Sequence, residues 1–69
     1  MSIKVWLICD EPNFKVNVEL PALPPIGSKI TLTNIPKPGR RDIFEVTGIE
    51  FDVSPEQSYV EVNLKYDTY

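Results

Sequence analysis

The stretch Phe44 to Val53, FEVTGIEFDV, changes the side on which its apolar residues fall, and this restricts the fold more than any other feature. Phe44 and Val46 occupy even positions, Ile49, Phe51 and Val53 occupy odd ones, and the change falls at Thr47 and Gly48. Side chains alternate between the two faces of a strand, so a one-residue change of parity requires either a break or an inserted bulge. A glycine inside a strand pattern is a usual mark of a bulge or tight bend. The stretch is therefore expected to be one long strand, bulged at Gly48 and bent so that it serves two sheets of a small barrel. All five apolar residues should then reach a single core.

The remaining segments alternate more simply. Ile3 to Asp10 places Ile3, Val5, Leu7 and Cys9 on one face and Lys4, Trp6, Ile8 and Asp10 on the other, so both faces carry large apolar groups. Asp10 to Asn13 has turn chemistry and predicts a hairpin. Phe14 to Leu20 follows, with Phe14, Val16, Val18 and Leu20 inward and Lys15, Asn17 and Glu19 outward. Pro21 to Gly27 holds three prolines, which remove donors and keep the backbone extended; Leu23 and Ile26 are expected to tuck beneath this connector. Lys29 to Thr33 reads as a short strand, Asn34 to Asp42 as a loop turning at Gly39, and Tyr59 to Tyr66 as a last strand with Val60, Val62, Leu64 and Tyr66 inward. No window has a helical period with caps. The expected fold is all-β, a five-stranded antiparallel barrel, with a small split sandwich as the alternative.

Length and charge bound the rest. A chain of 69 residues has room for one domain, spanning 1–69, with a marginal core of about 3–10 kcal/mol, so self-association into a homo-oligomer is expected. Ten acidic against seven basic residues and a pI near 4.7 work against duplex nucleic acid as a partner. No apolar run approaches the ~18 residues that span a bilayer, which speaks against a membrane partner. A single cysteine and the lack of a charged and then apolar leader point to a cytoplasmic setting.

Histidine is absent, which removes the commonest general base and the commonest metal ligand. With one cysteine besides, neither a metal site nor a cofactor is expected, and Cys9 reads as a small core hydrophobe in phase with Val5 and Leu7. Glu50 and Asp52 share the outward parity about 7 Å apart, but a solvated face explains them more simply than acid–base chemistry. No enzyme and no catalytic residue is expected. Positive charge is concentrated at Lys37, Arg40 and Arg41, where adjacent guanidinium groups at a glycine turn can meet a small anion. Tyr59 is a candidate stacking partner for such a ligand, and the plain alternative is a solvated loop. Trp6, Ile8, Ile35 and Tyr69 are large groups outside the inward pattern, and a protein interface is their natural use.

From Pro25 onward, Pro25-x-Gly27, Ile30-x-Leu32, Phe44-x-Val46, Ile49-x-Phe51 and Val60-x-Val62-x-Leu64 resemble small SH3-like β-barrel proteins of bacteria and their phages. The resemblance implies an oligomerising or ligand-holding scaffold: a virion adaptor, a peptide or nucleic-acid binder, or a phage anti-defence protein that sequesters nucleotide signals. It implies no functional residue, because the matched positions are core positions. The expected function is a non-catalytic binding module. Its ligand is a small nucleotide-type anion held by the loop from Lys37 to Arg41, or alternatively a protein held on the face of Trp6 and Ile8.

Overall fold

The computed structural model describes residues 2–35 and 37–67, and among them five strands and no helix occur: β1 Ile3–Cys9, β2 Phe14–Leu20, β3 Lys29–Thr33, β4 Arg41–Val53 and β5 Ser58–Tyr66. They form one sheet in the order β2-β1-β5-β4-β3. Among the described residues, no helix is long and apolar enough to cross a membrane. The bulge lies where the parity change put it. Val46 pairs with Leu64 and Gly48 with Asn63, which leaves Thr47 as the extra residue. Val46 and Ile49 consequently stand on the same face, opposite Leu64 and Val62.

Every apolar residue of inward parity lies on the concave face of this curled half-barrel. Val5, Leu7, Cys9, Phe14, Leu32, Phe44, Val46, Val62 and Leu64 are buried there as the core. The curl brings edge strand β2 towards β4, so that the rings of Phe14 and Phe44 meet edge to face at 5.6 Å and 85°. Tyr66, paired with Phe44 across β4 and β5, packs on it with centroids 5.5 Å apart. The proline-rich connector joins the two edge strands of the sheet and rests Leu23 on the core, so it crosses the concave face. It docks where Gly27 N donates to Val46 O at 2.8 Å and Val46 N donates to Ser28 O at 2.9 Å.

The structure corrects four expectations. The sheet is mixed rather than antiparallel throughout, because β1 and β5 run parallel, with Val5 beside Val60, Leu7 beside Val62 and Cys9 beside Leu64. Alternation buries the same side chains whichever way two strands run, so it carries no information on direction. The barrel is half-formed: β2 and β3 are its two edges and do not pair with each other. Phe51 and Val53 share the core face but are 62% and 76% exposed. At about 3.3 Å per residue, β4 matches the 41 Å long axis of a molecule only 24 Å across; the connector and the Phe14–Phe44 contact cover its middle, not its far end. Ile26 is likewise 67% exposed, because the turn at Pro25 to Ser28 carries it outward beside Gly27.

Gly48 has no positive φ, and a Cβ there would sit 3.6 Å from Asn63 Nδ2, an ordinary contact. The bulge thus uses the small size of glycine little and its left-handed freedom not at all. Gly39, at φ 84°, is the opposite case. Urea unfolding should show Gly48→Ala within ~0.5 kcal/mol of the natural protein and Gly39→Ala weaker by ~1 kcal/mol. In the same series Phe44→Ala should cost ~3–5 kcal/mol, a large part of the total, and Phe51→Thr less than ~1 kcal/mol. Equal losses at Phe44 and Phe51 would show that the far end of β4 is covered in solution.

Candidate functional site

The basic loop is held together by its own groups. Asn34, in the left-handed region at φ 63°, accepts from Gly39 N through Oδ1 at 2.9 Å, while its own N donates to Arg40 O at 2.6 Å. Arg40 N donates to Lys37 O at 3.3 Å. Two amides that could have met an anion are therefore engaged within the turn. The Arg40 guanidinium is engaged as well: Nε and Nη2 stand 3.0 and 2.9 Å from Asp42 Oδ2. Asp42 Oδ1 accepts from the Tyr66 hydroxyl at 3.3 Å.

This trio has a structural reason. Asp42 pairs with Leu32 and follows the inward parity of Phe44 and Val46, so its carboxylate sits at the rim of the core with a side chain only 13% exposed. A carboxylate in that position needs partners, and Arg40 and Tyr66 supply them. Sequence reasoning placed Asp42 in the loop and missed it; its even parity was the available signal. Lys37 and Arg41 remain exposed and enter no ion pair among the described residues.

The other candidates lie elsewhere. Tyr59 pairs with Asp52, roughly 35 Å of strand away from Arg41, so within one chain it cannot stack on a ligand held by the loop. Trp6 and Ile8 do stand side by side on the outer face, both half-buried. Lys15 lies over the Trp6 ring at 5.1 Å and reaches Glu61 at 3.7 Å, so a cation already occupies one flank of the indole. Ile35 packs against the core at the other end of the molecule and is not part of that patch. Tyr69 lies outside the described residues. Glu50 and Asp52 are both exposed, beside Glu61 and Tyr59 respectively.

Two surface features escaped the sequence altogether. One is a groove of about 640 Å³ lined by Asp10, Glu11, Pro12, Thr47, Lys65 and Tyr66, with Cys9 and Leu64 at its floor. It forms because β1 stops at Cys9, opposite Leu64, while β5 continues to Tyr66. The other is the open apolar end of the concave face, where Phe51 and Val53 stand beside half-buried Ile49 and Val60. Neither arises from local sequence: each depends on where a neighbouring strand ends. Among the described residues no group of three or more Cys, Asp or Glu is placed to hold a metal ion.

No protein-family model matches this chain, and no curated protein or solved structure matches it either.

Two titrating groups are displaced. The Asp52 carboxylate, as hydrogen-bond acceptor and as a negative charge, raises the Tyr59 phenol above its ordinary value, with smaller contributions from desolvation and Glu61. A hydrogen bond to Asp67 is the largest cause raising Lys29, which stands 3.0 Å from Asp67 and 3.5 Å from Glu45. Both groups bind their protons more tightly folded than unfolded. Their contributions to stability are therefore complete below the unfolded values, near 10.0 and 10.5, and are lost as pH rises through the raised ones. Alkaline titration of phenolate absorbance should show one late tyrosine that Tyr59→Phe removes and Asp52→Asn shifts downward. An unchanged titration in Asp52→Asn would show that the two groups do not meet.

Proposed function

We propose that this chain is a non-catalytic binding module that works by protein–protein contact, with the open apolar end of its concave face as the contact surface. One observation carries the reading: Phe51 and Val53 lie on the core face, 62% and 76% exposed, next to a buried core into which their row continues. A small domain that leaves large apolar groups in line with its core gains by covering them with another chain. The SH3-like resemblance belongs to this proposal as a statement about the curl around the bulge. The parallel β1–β5 pairing is its departure from the antiparallel barrel that the resemblance implies. The outer patch of Trp6 and Ile8 is a second contact surface, and a homo-oligomer is the simplest way to use it.

A small anion is the second reading, favoured by the outward-facing Lys37 and Arg41. Arg40, committed to Asp42, would contribute little to it, and any stacking group would have to come from another copy. Calorimetric titration with mono-, di- and cyclic nucleotides, comparing the natural protein with Lys37→Ala/Arg41→Ala, decides it. Affinity weaker than about 100 µM in both would remove the anion reading.

Sedimentation at tens of micromolar, alongside binding of a hydrophobic dye, tests the contact surface. An oligomer lost in Phe51→Ser/Val53→Ser but kept in Trp6→Ser assigns association to the concave face, and the reverse assigns it to the outer patch. For a monomer, dye bound by the natural protein and lost in Phe51→Ser/Val53→Ser supports a surface for a different protein. No dye binding and no association would end the reading.

A further inference from the structure

We infer that the contact is made by strand addition: the free edge of β4 from Gly48 to Val53 takes an extended segment of another protein in which apolar residues alternate with lysine or arginine. The inference rests on the protein-contact reading above and names the mode and chemistry of the partner.

The edge itself is the first observation. β3 pairs with β4 only from Arg41 to Glu45, and Gly27 and Ser28 extend that ladder to Val46. Beyond the bulge, the side of β4 turned away from β5 has no paired strand and no backbone hydrogen bond among the described residues, over about 20 Å of strand. Every second residue of such an edge offers an unpaired N–H and C=O, the template on which an extended peptide adds. Natural edges are commonly blunted by charged side chains, lysine above all, by proline or by a bulge. Gly48 to Val53 contains no lysine and no proline, the bulge at Thr47 lies before the segment, and its only charges are the carboxylates of Glu50 and Asp52.

The two faces flanking the edge specify what can add. On the concave side, Ile49, Phe51 and Val53 present apolar surface to the alternate residues of an incoming strand. On the outer side stand Glu50 and Asp52, with Glu61 next to Glu50 on β5. Lys15 is the only cation bridged to this cluster among the described residues, and it reaches Glu61 alone. Opposite charges directly across a strand pair are favourable and like charges unfavourable.

The same charges argue against a second copy at this edge. In the two registers that overlap Gly48 to Val53 of both copies most fully while keeping Phe51 and Val53 on the shared apolar face, Glu50 stands opposite Asp52 or Glu50 of the other copy. The edge is therefore open to a basic strand and guarded against itself.

A short blocked peptide of alternating valine and lysine is the probe, titrated into the full chain and followed by backbone amide shifts and hydrogen exchange. Binding with slowed exchange confined to Gly48 to Val53 is expected. A valine–glutamate peptide should bind about tenfold more weakly, and Glu50→Lys/Asp52→Lys should reverse that preference. A valine–lysine peptide N-methylated on the residues facing β4 should lose binding, since it cannot donate to the ladder. Equal binding of the N-methylated peptide, an unchanged charge preference in the double variant, or protection elsewhere than β4 would overturn strand addition. So would a dimer of the natural protein with protection at Gly48 to Val53. If no peptide binds while Phe51→Ser/Val53→Ser still abolishes dye binding, strand addition fails and the contact surface stands; if dye binding is also absent, both fail.

Discussion

The extra residue at Thr47 is the constraint on which the rest of the molecule depends. Without it, Ile49, Phe51 and Val53 would face away from Phe44 and Val46, and β4 could not present one apolar face along its whole length. With it, β4 pairs with β3 at one end and with β5 along nearly all of its length. A bulge also sharpens local twist, and the curl that follows lets Phe14, from the far edge of the sheet, close on Phe44. Among the described residues there is no second layer, so the sheet and its connector cover the core themselves.

That cover is incomplete, and the incompleteness has a definite place. The connector docks at Val46, Phe14 meets Phe44, and the end of β4 beyond them is left with an apolar face, an acidic face and an unpaired edge. At the other end of the sheet, the molecule resolves a similar conflict internally. Asp42 faces inward, and Arg40 and Tyr66 satisfy it. An arginine beside a glycine turn is thus engaged at the core rim. A charge at the edge of an apolar region needs a partner more than an exposed charge does.

Much of the fold was legible because strand alternation is local. All five strands appear close to the expected bounds, and the inward residues of β1, β2, β3 and β5 lie on the concave face as their parity requires. The candidate site was less legible. Lys37 and Arg40 lie in the loop and Arg41 opens β4; Arg40 turns to Asp42, an inward carboxylate at the core rim that also takes a hydrogen bond from Tyr66, which β5 brings from the far end of the chain. Tyr59 and the arginines were grouped by chemistry, and the strand that separates them is β4 itself.

The sequence by itself determined which residues face the core and where the long strand must bulge, because both follow from the two-residue period of an extended chain. Strand order, the parallel β1–β5 pairing and the extent of cover were decided only by the tertiary structure. Either strand direction buries the same side chains, and exposure at Phe51 and Val53 depends on where distant segments stop. Periodicity encodes a face; only packing between segments far apart in the chain decides what covers it.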